Sequence, residues 1–321
     1  LNASPAVYNE IILRAALRLK AHYLDMAAHL TRNPFKPEQF RYAKRFEAKN
    51  RAAVITAGVA PGLTNLLVRR AEEMLDEVHT VHVRLFEETE SDDPVSQWSP
   101  EVSFDEATSR PRIYRAGKFE LAKRFSEREW FRFPQPIGEV PVYLAAQDEV
   151  GTLPHFIPMR EMDAKIGGGE MEMLRRWHRQ GKLSRSRGMA KARFPDTPTP
   201  KAMKRLVRRG RLSNARFAAA VVVRGVKKEK PTLVRWDVGV PSLFQIHREG
   251  LNGSPVSWAT ATMGALFVKH FPREEAGVFA PEKLPVELRR AVLADARGRG
   301  LRITVRTRTL KPAEDGDEDD I

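Results

Sequence analysis

Chemistry along this chain has to come from carboxylates, histidines, arginines and glycine loops, because its 321 residues include no cysteine. Thiolate nucleophiles, disulfides and Cys-based zinc or iron-sulfur sites are thereby excluded. Asp25 stands out among the acids. It lies inside the apolar stretch His22 to Ala27, and a carboxylate is seldom buried without a partner or a task. Two readings fit it: a group with chemical work, or a strand-end Asp that caps the following turn. The eight histidines show no metal-binding spacing. His79 and His82 lie three apart on a strand pattern and so face opposite ways, and no metal is expected. Gly167-Gly168-Gly169 precedes a helical pattern and could cradle phosphate through backbone amides. It lacks the G-x-G-x-x-G spacing of a dinucleotide fingerprint and reads as a plain turn. Gly298-Arg299-Gly300 follows a helix and leads into a strand, the reverse of the context that fingerprint needs.

The elements that position these residues change character along the chain. Ser4 is a candidate N-cap with Pro5 at the first helical position. Tyr8, Ile11, Ile12, Ala15 and Leu19 then fall at helical spacing, predicting an amphipathic helix over a sheet. Strand patterns at His22 to Ala27 and Ala52 to Ala57 flank a polar helix from Pro37 to Lys49, the rhythm of a parallel α/β sheet. Gly58-Val59-Ala60-Pro61-Gly62-Leu63-Thr64-Asn65 ends the second strand and opens a helix through Glu77, capped by Thr64 or Asn65. Such loops, at the carboxyl ends of parallel strands, are where α/β proteins bind ligands. From Val78 to Phe86 the chain alternates, with Val81, Val83 and Leu85 on one face and His82 and Arg84 on the other, as in a half-exposed strand. Trp98-Ser99-Pro100-Glu101 reads as a helix start. Val221 to Asp237 reads as a hairpin around Lys227 to Lys230, so an antiparallel or mixed sheet follows a domain boundary near residue 75. Trp258 to His270 and Pro285 to Arg297 read as helices, Leu301 to Arg306 as a strand, and 311–321 as a disordered acidic tail.

The net charge of +14 is local. Arg175 to Arg216 holds fifteen Lys and Arg and one acid, Asp196, while the rest of the chain carries forty of each sign. A solvated helix face plus a Pro-rich loop accounts for such a run; nucleic acid, or a carboxylate-bearing partner clamped by Arg, are the alternatives. Few aromatic residues interleave with it and no reader motif accompanies it, so nucleic acid is a possible partner and not the favoured one. No apolar run approaches the roughly 20 residues that span a bilayer; the longest is Phe217 to Val223. A soluble, cytoplasmic protein without membrane partners is expected. The N-terminus, Leu1, lacks a leader profile and suggests that a beginning is missing.

Asn2-Ala3-Ser4-Pro5, His22-Tyr23-Leu24-Asp25 and Ala57 to Asn65 together resemble the second half of the cofactor domain in the saccharopine dehydrogenase (saccharopine reductase) family. Trp98 to Glu101 with Gly117-Lys118, Glu149 with Thr152-Leu153-Pro154, and Gly277-Val278 with Pro281-Glu282 are also similar to it. The resemblance implies the C-terminal half of a Rossmann-type parallel sheet over 1–75 and an α+β substrate and dimerisation domain with a mixed sheet over 76–255. Helices returning to the cofactor domain over 256–300 and a final strand over 301–310 complete it. The glycine fingerprint would precede Leu1. NADP or NAD would then be bound only with that missing half, and this chain would be inactive alone.

The family's chemistry is hydride transfer at a C–N bond of an amino-acid-type substrate. The resemblance places Asn2, Ala3, Ser4, Pro5, Asp25, Gly58, Pro61 and Gly62 beside the cofactor. It places Asn65, Trp98 and Ser99 beside the substrate, and offers Asp25 and Tyr8 as catalytic candidates. It also implies a homodimer. Two departures bear on the substrate: Glu87 to Asp93 stands where better-characterised members have a glycine-rich turn, and Ala6 where they have Tyr, unless Tyr8 serves. A non-enzymatic binding module using the basic 175–216 segment for an anionic partner is the alternative function.

Overall fold

A computed structural model describes residues 1–93, 95–183 and 197–310. Helix α1 (Asn9–Arg18), strand β1 (Tyr23–Leu24), helix α2 (Ala43–Glu47), strand β2 (Ala52–Val54) and helix α3 (Leu63–Glu72) come first. Strand β3 (Glu77–Ser91), helix α4 (Pro100–Thr108), strands β4 (Arg112–Arg115), β5 (Lys118–Leu121), β6 (Glu129–Phe133), β7 (Gly138–Leu144) and β8 (Glu161–Gly167), and helix α5 (Gly169–Arg179) follow. Helix α6 (Pro200–Arg208), strands β9 (Leu212–Lys227) and β10 (Lys230–Gly239), and helices α7 (Leu243–Arg248) and α8 (Pro255–Lys269) lead to the end. There lie strand β11 (Gly277–Phe279), helix α9 (Val286–Gly298) and strand β12 (Arg302–Thr309). No helix among the described residues is long and apolar enough to cross a membrane.

Two sheets organise these elements. The smaller is parallel, in the order β1-β2-β11, and Asn2 extends it through a parallel bridge to Asp25. The larger is mixed, with β12-β10-β9-β3-β8-β4-β5 along one path and the β6–β7 hairpin joined to β8. Among the described residues, only β3 and β8 run parallel in it. The fold is therefore α/β with a Rossmann-like parallel sheet and a mixed α+β sheet, as the sequence implies.

Alternation along β9 explains why an apolar run forms one strand. Phe217, Ala219, Val221 and Val223 enter the core shared with α3, α8 and α9, whereas Ala218, Ala220 and Val222 pack under Phe131 and Phe133 of β6. Both faces are dry, so both are apolar. β3 is covered on both sides too, which corrects the half-exposed reading: Arg84 is only 2% exposed. Its guanidinium binds Glu129 and Asp163, and Lys165 and His82 complete the cluster. Nor does β3 stop at Phe86. It runs to Ser91 because the long β9 continues to pair with it, Glu88 opposite Arg216 and Ser91 opposite Leu212.

The first helix also differs from its pattern. A 3-10 turn over Ala6–Tyr8 follows Pro5, Ser4 makes no side-chain cap, and α1 starts at Asn9. Leu13 and Leu17 are buried together with Asn9 and Glu10. Ile11 and Leu19 instead stand 61% and 78% exposed. Two polar residues won the inner face because they have partners there: Asn9 accepts from Asn2 at 2.8 Å and donates to the Ala27 carbonyl at 2.7 Å, and Glu10 meets Arg41. The third helix ends at Glu72, short of Glu77, where β3 begins. The 311–321 tail lies outside the described residues.

Candidate functional site

The loops that leave the parallel strands converge on one cavity of about 510 Å³. Ala3 to Ala6, Met26 with Ala27, and Gly58 to Pro61 form one wall, at the carboxyl ends of Asn2, β1 and β2. Glu87, Gln97 to Val102, Glu106 and Gln147 form the opposite wall, and Val256, Ser257 and Thr260 of α8 close one side. Glu87, Trp98, Glu106 and Ile166 also line a recess of about 50 Å³ at its inner end.

The first wall is shaped by close backbone contacts. A Cβ on Gly62, whose φ is +131°, would lie 2.0 Å from the Gly58 carbonyl oxygen. One on Gly58 would meet the Pro61 oxygen at 3.0 Å and Thr260 at 3.4 Å. Gly62 needs glycine for the chain to fold on itself, and Gly58 leaves little room for a side chain. The helix that follows is held from behind: Asn65 accepts from the Gly62 amide at 3.0 Å and donates to Thr152 and Glu282 at 2.9 and 3.0 Å. Thr64 donates to Glu149 at 2.7 Å.

The site residues expected from sequence therefore separate into two groups. Ala3, Ser4, Pro5, Gly58, Pro61, Trp98 and Ser99 line the cavity. Asn2, Asp25, Gly62, Asn65 and Tyr8 do not. Tyr8 is 51% exposed and Asn65 is fully buried behind the wall. Asp25 is 1% exposed and accepts from the Thr56 amide at 2.9 Å, the Tyr23 hydroxyl at 2.9 Å and Gln39 at 3.1 Å. Burial pushes its carboxyl up to about 7, against these three bonds. It ties together the ends of Asn2, β1 and β2 and shapes the cavity from outside.

The acids that line the cavity are Glu87, Glu101, Glu106 and Asp148, and Glu170 lines the recess alone. Burial, then the charges of Asp148 and Glu170, pushes Glu106 up to about 8. Burial and Glu170, its hydrogen-bonded neighbour, raise Glu87 well above the carboxylate range. Glu170 follows the Gly167 to Gly169 turn and accepts from the Ser103 hydroxyl at 3.1 Å. Sequence reasoning did not single out Glu87, Glu106 or Glu170 as site residues. One signal was present: Glu87 continues the parity of Val81, Val83 and Leu85, and so shares their inward face.

No family model matches the chain. Over 179 residues it is 25% identical to the carboxynorspermidine synthases of Vibrio cholerae and Vibrio alginolyticus, a match covering 53% of this chain and 43% of each relative. The match thus spans less than half the length of these relatives. In structure the chain is similar to the apo saccharopine dehydrogenase (L-Glu forming) of Saccharomyces cerevisiae, with a TM-score of 0.66 at 12% identity, covering 95% of this chain and 84% of that one. The fold is Rossmann-like, similar to that of this dehydrogenase.

Such a fold implies a nicotinamide cofactor, and the residues fit one end of it. The mostly apolar loops at Ala3 to Ala6 and Gly58 to Pro61 line the cavity where a nicotinamide ring would pack. The chain has no G-x-G-x-x-G turn between strand and helix, so the pyrophosphate end finds no cradle in these residues.

Elsewhere, Glu10, His29 and Glu38 bring possible ligand atoms within 4.8 Å of one another. Arg32 and Arg41 reach the same carboxylates, so the charge is already compensated within the protein. The basic stretch divides too. Lys201, Lys204, Arg205, Arg208 and Arg209 stand exposed on or beside α6, Arg211 pairs with Asp93 and Arg216 with Glu90, and 184–196 lie outside the described residues.

Proposed function

We propose that this chain supplies the nicotinamide-side wall and the substrate pocket of a saccharopine dehydrogenase-like, NAD(P)-dependent oxidoreductase that works at a C–N bond of an amino-acid-type substrate. The observation that carries the reading is the shared cavity: loops from the carboxyl ends of the parallel strands face acid-bearing elements of the mixed sheet across about 510 Å³. When bound, the nicotinamide gives or takes the hydride. The chain's own residues do the rest. Ala3 to Ala6 and Gly58 to Pro61 hold one side, and Trp98 and Ser99 border the substrate. Glu106 holds a proton at neutral pH and faces the cavity, so it replaces Asp25 and Tyr8 as the group that exchanges a proton with the substrate nitrogen. The curated relatives, named for a carboxylated polyamine, agree with C–N chemistry.

The pyrophosphate cradle is supplied in this reading by sequence outside these 321 residues. Titration of this chain with NADPH and NADH, beside a version extended upstream to include a strand and glycine fingerprint, tests it. Tight binding is expected of the extended protein only. Equal binding by both overturns the missing cradle, and binding by neither overturns the oxidoreductase.

A further inference from the structure

One face of the mixed sheet, away from the cavity, is lined by arginine. Among the described residues β12 is an edge strand of that sheet, and from Thr304 to Thr309 every residue of it is exposed. Its even-numbered residues share a face. There Arg302, Thr304, Arg306 and Arg308 lie opposite Gly239, Asp237, Arg235 and Leu233 of β10. Two grooves of about 910 and 580 Å³ follow this face, with Pro134 and Gln135 of the β6–β7 turn common to both. Arg132, Arg235, Arg306 and Arg308 line the first, together with Phe133, Val222 and Leu233. Arg216, Arg248 and Arg302 line the second.

Few acids answer these arginines. Among the described residues the two linings include the carboxylates of Glu139 and Asp237. Asp237 accepts from Arg235 at 2.9 and 3.0 Å and from Arg306 at 2.8 Å, and Glu139 stands 3.6 Å from Arg132. A surplus of positive charge remains. Arg132 and Arg306 are 74% and 67% exposed, so an anion can reach them, and a guanidinium has five N–H donors to share.

The complementary charge lies in the same chain, and the chain arrives at this face. Leu310 packs on the cluster that holds Phe131, Phe133, Val222 and Leu233, and its amide donates to the Pro231 carbonyl at 2.8 Å. Residues 311–321 lie outside the described residues. In sequence they carry Glu314, Asp315, Asp317, Glu318, Asp319 and Asp320 against one lysine. The reach suffices: Glu314 is four residues past Leu310, at most about 14 Å of chain, and Arg306 is four residues back along β12, about 13 Å. Each later acid extends that reach toward Arg302. An external polyanion would meet the same charge, but a tethered segment is present at an effective concentration of about millimolar.

We propose that the acidic segment 314–320 docks on the arginine grooves of its own chain, pairing with Arg306 and Arg308 and running back toward Arg302. Docked there, it balances the charge of this face and shields the edge of β12, a strand otherwise open to pairing with another chain. External polyanions then reach the grooves only by displacing it. The proposal is independent of the reaction assigned to the cavity.

The absence of cysteine makes a direct test simple. Thr304→Cys on the groove face and Asp317→Cys in the acidic segment are introduced together into the full chain, and the disulfide formed under mild oxidation is read on non-reducing gels. We expect a disulfide within one chain at low salt. Its yield should fall about fivefold in about 1 M salt, where charges are screened beyond about 3 Å, and equally when Arg306→Ala and Arg308→Ala are added. Both substitutions are at exposed positions, and Asp237 keeps Arg235, so the fold is retained. A yield that is the same in all three conditions reports tethering alone and overturns the docking, as does no disulfide. Disulfides between two chains assign the segment to a second copy and overturn docking within one chain. Heparin gives an independent reading: Arg306→Ala with Arg308→Ala should lower the eluting salt more when the six acids are changed to amides than when they are intact. Equal lowering in both backgrounds also overturns the proposal.

Discussion

Asn65 and Glu282 stand 217 positions apart in the chain, and the Asn65 carboxamide donates to the Glu282 carboxylate at 3.0 Å. The same carboxamide donates to Thr152 at 2.9 Å and accepts from the Gly62 amide at 3.0 Å. One side chain thus ties the cavity loop, the segment before β8 and the turn after β11. Its removal leaves three buried polar groups short of a partner. Asn65→Ala should lower stability by about 2–4 kcal/mol, read as a lower urea midpoint at unchanged slope. A change within experimental error would show that the junction is held by something else.

Glu149 and Glu282 flank that junction, and burial pushes each up to about 7. An unfolded chain titrates the same groups near about 4. Folded protein therefore keeps these protons longer, and the stability they contribute is full below about pH 4 and lost as pH rises through about 7. Glu149→Gln cannot ionise. Its melting temperature relative to the parent should rise between pH 5 and pH 8, and a fall over that range would contradict the sign.

Glu129 and Asp163 behave oppositely, because Arg84 beside them holds both below the usual carboxylate range against the cost of burial. Stability from this pair is present above the unfolded values and lost as pH falls. Arg84→Ala leaves two acids without their buried partner and should cost about 3–5 kcal/mol at pH 7. The loss should shrink on acidification toward pH 3, measured by chemical denaturation at both values. A loss that grows in acid would count against the assignment.

How far the sequence reached can be judged from particular residues. Apolar runs and turns with a local cause were legible: Phe217 to Val223 became one central strand, and the hairpin at Lys228 and Glu229 closes with both residues at positive φ, 48° and 62°. The Gly58 to Gly62 loop declared itself through its glycines. The inner face of α1 was not legible, since Asn9 and Glu10 are buried by partners 7 to 31 positions away. Likewise the recess is made by three acids on elements whose meeting depends on sheet order. Hydrophobic periodicity treats an acid as solvent-facing and cannot register a buried carboxyl whose partner is another carboxyl.

The basic face of α6 bears on the binding-module alternative. Met203 is buried beneath it, while Lys201, Lys204, Arg205 and Arg208 face solvent. The triple variant Arg205→Ala, Arg208→Ala, Arg209→Ala should change stability by no more than about 0.5 kcal/mol. It should also leave heparin at lower salt than the parent. Unaltered elution would remove the support for an anionic partner at this helix.

Gly168 offers the sharpest link between backbone and site. Its φ is +107°, and an added methyl group would sit 2.1 Å from the Glu87 carbonyl oxygen. Gly168→Ala therefore combines an unfavourable backbone conformation with a clash against a central strand, worth about 2–4 kcal/mol or a displaced α5. Gly169 is the control: a Cβ there meets nothing nearer than Glu88 Oε1 at 3.8 Å. We expect Gly168→Ala to lower the melting temperature and Gly169→Ala to preserve it. Equal effects of the two would mean that the turn does not set the position of Glu170.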